Sequence, residues 1–89
     1  MAKELTARKP RRIGRWTYGA HPGLNPGWRL DDTNVVLDFN STDRSGSLRG
    51  AYELWVNGQA VEMVDHYLDG AMDFVERYWD LEAGAWRVR

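Results

Sequence analysis

The stretch SLRGAYELWVNGQAVEMV, residues 47–64, decides the fold of this 89-residue chain. It places Asn57-Gly58 between two runs in which apolar and polar residues alternate. Asn-Gly favours a two-residue type I′ turn, because both turn positions need a positive φ. The stretch therefore predicts an antiparallel hairpin. The predicted pairs are Val56–Gln59, Trp55–Ala60, Leu54–Val61, Glu53–Glu62 and Tyr52–Met63.

This register assigns the hairpin residues to two faces of a sheet. The predicted core face carries Tyr52, Leu54, Val56, Val61 and Met63. The predicted outer face carries Glu53, Trp55, Ala60 and Glu62. Like charges directly opposite each other are mildly destabilising, so we expect the outer face to be solvated.

Further strands are predicted on either side of a turn-rich loop. IGRWTY (13–18) and TNVVLDFN (33–40) alternate like strands, and Trp28 and Leu30 suggest a short strand between them. The loop GAHPGLNPG (19–27) contains two Pro-Gly pairs. Residues 1–12 are basic and have few large apolar side chains, so they are predicted to form a flexible arm.

A helix is predicted from VDHYLDGAMDFVERYWD, residues 64–80. At 100° per residue, five carboxylates fall within an arc of about 80°. These acids are Asp65, Asp69, Asp73, Glu76 and Asp80. Asp65 suits the N-cap, Gly70 falls in the helix interior, and Gly84 would end the helix. The broad apolar face comprises Tyr67, Leu68, Ala71, Met72, Phe74, Val75, Tyr78, Trp79 and Leu81.

Together these elements predict an α+β fold. We expect one domain over residues 13–89, with an antiparallel meander of about four strands and one C-terminal amphipathic helix packed on one face. GAWRVR at the C-terminus could add a short strand. The longest apolar runs are too short to cross a membrane, and the N-terminus lacks the apolar stretch of a signal peptide, so we expect a cytoplasmic protein.

The sequence offers little catalytic chemistry. The chain has no cysteine, which excludes a disulfide framework and a thiolate zinc site. Its two histidines are His21 and His66, and neither belongs to a recognisable catalytic motif. The spacing of polar residues in 38–46 resembles a calcium loop, but Arg49 stands where the closing glutamate should be. We therefore expect no enzyme activity, no metal and no cofactor.

The charge is distributed unevenly along the chain. Residues 1–50 hold nine Lys or Arg and five Asp or Glu, whereas residues 51–89 hold three and eight. Like-charged pairs three or four apart on a helix cost about 0.2–0.5 kcal/mol each, so a ridge of acids suggests a function. The first hypothesis is a non-enzymatic protein whose acidic helix docks on a basic, nucleic-acid-binding surface of a partner protein. The predicted contact residues are the five helical acids with Glu53, Trp55 and Glu62.

Such a protein would act as a competitive inhibitor, comparable to the small phage proteins that block CRISPR complexes or restriction enzymes. No motif marks such a family; size and charge prompt the hypothesis. Two alternatives remain open. The chain could form a salt-dependent homo-oligomeric scaffold, its basic half meeting the acidic half of the next copy. It could also bind nucleic acid through Arg8, Lys9, Arg11, Arg12 and Arg15, with Trp16 or Tyr18 stacking on bases.

Overall fold

The computed structural model describes residues 11–40 and 50–87, which form an antiparallel sheet and a helix. The six strands of the sheet lie side by side in sequence order. They are β1 (Arg11–Ile13), β2 (Trp16–Gly19), β3 (Gly27–Leu30), β4 (Val35–Asn40), β5 (Ala51–Val56) and β6 (Gln59–Asp65). The helix α1 (Leu68–Tyr78) follows, and then β7 (Trp79–Asp80) pairs with β8 (Ala85–Trp86). The predicted α+β class and C-terminal helix are confirmed, but the sheet has six strands rather than about four.

The difference in strand number arises at the N-terminal edge of the sheet. Residues 13–18 were predicted to form one strand, but Gly14 adopts a φ of +55° and the chain reverses there. β1 therefore pairs antiparallel with β2, and Ile13 faces Trp16. Arg11 and Arg12 belong to β1, although they were predicted to lie in the flexible arm; residues 1–10 lie outside the described part.

The central hairpin keeps the predicted turn and the first two predicted pairs. Asn57 and Gly58 both have positive φ, at 55° and 78°. Val56 faces Gln59 and Trp55 faces Ala60, but two irregularities then shift the register. β6 has an extra residue at Val61 and another at Val64, because the next pairs are Leu54–Glu62, Glu53–Met63 and Tyr52–Asp65. The predicted Glu53–Glu62 pair is therefore wrong, and Val61 is 40% exposed instead of buried.

The core lies between one face of the sheet and the helix. We call this the core face. Its buried residues from the sheet are Trp16, Trp28, Leu30, Val35, Leu37 and Leu54. Ala71, Met72 and Val75 of α1 and Trp79 of β7 complete the cluster. The helix begins just after Asp65, which pairs with Tyr52, and its last turn is joined to β2 by a hydrogen bond from Trp16 to Glu76. It therefore extends over the core face from the β6 edge towards β2.

The opposite face of the sheet is less solvated than predicted. Val36, Ala51 and Glu53 are buried on it, at 1%, 0% and 8% exposure. Asn25, in the loop between β2 and β3, donates a hydrogen bond from Nδ2 to Asp38 Oδ2 at 3.0 Å. The side chain of Asn40 donates in the same way to Glu53 Oε1 at 3.1 Å. The burial of Glu53 shows that the expected wet face is wrong at this position.

Among residues 11–40 and 50–87, no helix has both the length and the hydropathy that a membrane span requires. The only described α-helix, α1, has 11 residues, about half the number needed to cross a bilayer.

Candidate acidic binding surface

Three of the predicted carboxylates lie together on the exposed side of α1. Asp69, Asp73 and Glu76 occupy an arc of about 60° at the helical spacing. All three residues are exposed to solvent. Their common direction follows from the packing, because Ala71, Met72 and Val75 point the other side of the helix into the core.

Asp65 lies outside the helix and does not cap it. It is the last residue of β6, and the N-cap is Tyr67, which makes no side-chain capping bond. The Oδ1 atom of Asp65 instead accepts the N–H of Tyr67 at 2.9 Å. Gly70 is the third residue of α1, and a Cβ there would lie 2.5 Å from Asp65 Oδ2. The predicted N-cap is therefore wrong, and the glycine leaves room for the carboxylate beside the first turn.

Asp80 also lies outside the helix, because α1 ends at Tyr78. Trp79 turns to an extended conformation with φ −88° and ψ 123°. In the following turn Asp80 Oδ1 accepts the N–H groups of Glu82 and Ala83, at 3.0 and 3.1 Å. Gly84, at φ +67°, belongs to this β7–β8 turn rather than to the end of the helix, so that prediction is wrong.

All three helical carboxylates have partners in their own chain. Asp69 Oδ1 accepts the N–H of Gly70 at 2.8 Å. Asp73 Oδ2 accepts from Arg77 Nε at 2.9 Å, and this hydrogen bond raises the pKa of Arg77 above its usual value. Glu76 Oε2 accepts the indole N–H of Trp16 at 2.6 Å, and its Oε1 lies 3.7 Å from Arg15 Nη2. The acids of the helix are therefore not an unpaired row of like charges. The repulsion between them destabilises the helix less than the sequence suggested.

The remaining predicted contact residues are dispersed. Glu53 is buried on the opposite face of the sheet. Trp55 is half-buried there, and its indole N–H has no hydrogen-bond partner among the described residues. Glu62 is exposed on β6 and accepts the indole N–H of Trp86 at 3.0 Å. Of these three, only Glu62 lies near the C-terminal elements.

Two exposed apolar residues flank the helical acids. Tyr67, just before α1, is 73% exposed, and Leu81, just after β7, is 50% exposed. Both were predicted to belong to the buried side of a longer helix. The helix is shorter than its apolar periodicity implied, so each residue lies beyond one end of it. The sequence does contain a signal for the earlier end of the helix. The pattern Asp80-x-x-x-Gly84 is typical of a turn.

We define the acidic face as Glu62, Asp69, Asp73, Glu76 and Glu82, the exposed acids of residues 61–86. The same segment also contains Asp65 and Asp80, which are half-buried, and its only Lys or Arg is Arg77. The intrachain bonds orient several of these carboxylates without removing the excess of negative charge.

The three described residues of the predicted basic set, Arg11, Arg12 and Arg15, each contact a different group. Arg12 Nη2 lies 2.6 Å from Asp31 Oδ2, and this hydrogen bond lowers the pKa of Asp31 while raising that of Arg12. Arg15 approaches Glu76, and Arg11 lies over the rings of Tyr18 and Trp28. Trp16 is only 1% exposed and cannot stack on a base. Arg8 and Lys9 lie outside the described residues.

The two histidines lie apart from any cluster of acids. His66 is exposed in the link between β6 and α1, and His21 Nε2 donates to the carbonyl of Gly27 at 3.0 Å. In the part of the chain that the structure describes, no group of three or more His, Asp or Glu side chains is placed to hold a metal ion. Asn40 belongs to the segment that resembled a calcium loop, but residues 41–49 lie outside the described part.

Comparison with protein-family models, with curated proteins and with solved structures finds no match to this chain. The arguments about function therefore depend on its own residues and their arrangement.

Proposed function

We propose that this chain is a non-enzymatic binding protein whose acidic face docks on a basic surface of a partner protein. The observation that carries the proposal is the charge of residues 61–86, which hold seven Asp or Glu and one Arg. Five of these acids are exposed, and the core holds the helix that displays three of them. A fixed set of carboxylates favours encounter with a positively charged partner and orients it.

The exposed apolar residues support the same proposal. Charged groups in water contribute little affinity by themselves, whereas aromatic side chains at the centre of an interface often contribute most of it. Tyr67 lies just before α1 and Leu81 just after β7, and they expose 73% and 50% of their surface. We therefore assign the anchoring role to Tyr67 and Leu81, and not to Trp55, which was predicted as a contact residue but is half-buried on the opposite face.

The proposed partner surface is one that otherwise holds nucleic acid. Such surfaces present clustered Lys and Arg to phosphates, and a row of carboxylates on a rigid helix can compete for the same cations. The protein would then act as an inhibitor of a nucleic-acid-handling complex. No described feature restricts the partner further than this chemistry.

The test compares variants that change charge without disturbing the fold. Asp69→Asn, Asp73→Asn and Glu82→Gln are combined in one variant, and Glu76 is kept because it bonds Trp16. Asp32→Asn is the control, since Asp32 is exposed, lies outside the acidic face and has a φ of +61° that Asn also tolerates. Each tagged protein is used for affinity capture from a nuclease-treated cell extract at about 150 mM salt.

We expect the wild type and Asp32→Asn to retain the same nucleic-acid-binding protein and the triple variant to lose it. Addition of the wild type should also displace labelled nucleic acid from the purified partner. Equal capture by the triple variant would show that the acidic face is not the interface. Sedimentation velocity at low and high salt provides a second check, because a salt-sensitive homo-oligomer would indicate self-assembly instead.

A further inference from the structure

A small aromatic pocket lies where the helix leaves the core face uncovered. Its volume is about 180 Å³. It is lined by Arg11, Tyr18, Trp28, Leu37, Asp38, Phe39 and Tyr52. The four rings come from four neighbouring strands, β2 to β5, and so form one continuous platform. We call this site the aromatic pocket.

The rings of this pocket are held in place but remain accessible. Tyr18 packs on the buried Trp28 with ring centroids 5.1 Å apart, and Phe39 packs edge-on against Tyr52 at the same separation. Tyr18 is nevertheless 44% exposed and Phe39 49% exposed. A Cβ on Gly50 would lie 2.9 Å from Phe39 Cζ, so the ring lies close against this glycine. The two exposed rings are therefore preorganised, which lowers the entropic cost of binding.

Among the described residues, Arg11 is the one cation that lines the pocket, and the one acid of the lining, Asp38, accepts a hydrogen bond from Asn25. The guanidinium carbon of Arg11 lies 4.8 Å from the ring centroid of Tyr18 and 5.4 Å from that of Trp28. Arg12 bonds Asp31 and Arg15 approaches Glu76, but Arg11 has no carboxylate partner among the described residues. A guanidinium has five N–H donors and no acceptor, so Arg11 can still bind an anion while it remains stacked.

We propose that the aromatic pocket binds single-stranded nucleic acid. A base stacks on the exposed ring of Phe39, and Arg11, which stays stacked over Tyr18, bonds the adjacent phosphate. Every base has a flat π face, so stacking of this kind tolerates sequence variation, and the guanidinium matches phosphate geometry with two parallel hydrogen bonds. The charge of Arg11 disfavours a cationic ligand. A purely apolar peptide would leave the donors of Arg11 unused.

This site is separate from the acidic face, and its chemistry is opposite in sign. The two proposals can therefore fail independently. Carboxylates repel phosphates, so removal of the acids on the helix should strengthen nucleic-acid binding slightly, whereas it should weaken docking on a basic protein.

The test is fluorescence anisotropy of labelled single strands of roughly 12 nucleotides, one of thymidine and one of uridine, titrated with the full chain. Phe39→Ala should weaken binding about five- to 150-fold, as expected for loss of one stacked base. Tyr18→Ala should also weaken binding, because Arg11 loses the ring that holds it. Arg11→Gln should also weaken binding, and should reduce the slope of log K against log salt by about 0.7 between roughly 50 and 200 mM salt. The difference between the two strands identifies the preferred sugar.

Two matched controls distinguish the pocket from general adhesion. Tyr67→Ala removes an exposed aromatic ring outside the pocket, and Arg15→Gln removes an exposed cation outside it. Both should bind like the wild type. If neither strand binds at about 50 mM salt, or if the controls weaken binding as much as the pocket variants, the proposal is wrong. If neither strand binds but the protein captures a polyproline peptide, the proposal is also wrong, and the pocket is a peptide groove instead.

Discussion

The indole N–H of Trp16 donates to Glu76 Oε2 at 2.6 Å, across 60 residues of sequence. Trp16 is 1% exposed on β2, whereas the side chain of Glu76 is 36% exposed on α1. A single carboxylate therefore satisfies a donor in the core and belongs to the acidic face at the same time. This bond fixes the last turn of the helix over the N-terminal strands.

Replacement of Glu76 should therefore affect stability more than replacement of its neighbour on the same face. Glu76→Ala leaves a buried indole N–H without an acceptor and should lower the free energy of unfolding by about 1–3 kcal/mol. Glu76→Gln should cost less, because its amide oxygen can accept the same bond. Asp73→Ala, which removes only a surface pair with Arg77, should cost at most about 0.5 kcal/mol. Urea unfolding measures all three, and equal losses for Glu76→Ala and Asp73→Ala would contradict the assigned role.

Gly27, the first residue of β3, should tolerate substitution far less than Gly23 in the loop before it. A Cβ on Gly27 would lie 2.6 Å from the carbonyl oxygen of Leu37, and its φ is +141°. Gly27→Ala should therefore cost about 2 kcal/mol or more. Gly23 has a φ of +78° but no atom within 4 Å, so Gly23→Ala should cost only about 1 kcal/mol. Thermal unfolding of the two variants provides the comparison. A smaller loss of stability for Gly27→Ala than for Gly23→Ala would contradict the close approach of Gly27 to the carbonyl of Leu37.

The bulges in β6 make a prediction for two valines that look alike in the sequence. Val35 is 1% exposed and Val61 is 40% exposed. Val35→Ala should lower the free energy of unfolding by about 2 kcal/mol, because it leaves a space in the core. Val61→Ala should lower it by less than about 1 kcal/mol, mainly through strand preference. If urea unfolding gives similar losses of stability for the two variants, the register without bulges is favoured instead.

The bridge between Arg12 and Asp31 predicts a dependence of stability on pH. The hydrogen bond from Arg12, and then that from Thr17, lowers the pKa of Asp31 in the folded chain. A carboxyl group with a lowered pKa contributes its stability above the unfolded value of about 3.9, and the contribution is lost as the pH falls through the folded pKa. The difference in Tm between the wild type and Asp31→Asn should therefore be largest near neutral pH and should shrink as the solution is acidified below about pH 4.

Asp32→Asn provides the control for that experiment. The carboxylate of Asp32, next to Asp31 in the chain, is exposed and belongs to no ion pair among the described residues. Its Tm difference from the wild type should remain small and nearly constant over the same pH range. A difference for Asp31→Asn that does not change on acidification would exclude a stabilising role for the bridge.

Local patterns predicted the elements whose cause is local. Asn57-Gly58 specifies its turn because both residues must adopt positive φ, and that requirement does not depend on the rest of the chain. The alternation in 33–40 puts Val35, Leu37 and Phe39 on one face; the first two are buried in the core, whereas Phe39 is 49% exposed. The periodicity of 68–78 likewise predicted which side of α1 packs on the sheet.

The candidate site was predicted only in part. Three acids share one side of α1 as the periodicity implied, but Asp65 and Asp80 follow the same phase by coincidence and lie outside the helix. Alternation also could not reveal the bulges at Val61 and Val64, because a bulge depends on how β6 curves against its neighbours. The sequence named Arg11 and Tyr18 as candidates for nucleic-acid binding, but it could not place them beside Trp28, Phe39 and Tyr52, since the rings come from four separate strands.

By itself, the sequence determined the α+β class, the central hairpin turn, the helix and the excess of acids in the C-terminal half. Each of these depends on residues close together in the chain. Only the tertiary structure decided which carboxylates face solvent, which are bonded to Trp16 or Arg77, and where aromatic rings remain exposed. Those outcomes depend on how the helix lies over the sheet, and its position is set by contacts between residues as far apart in sequence as Trp16 and Glu76.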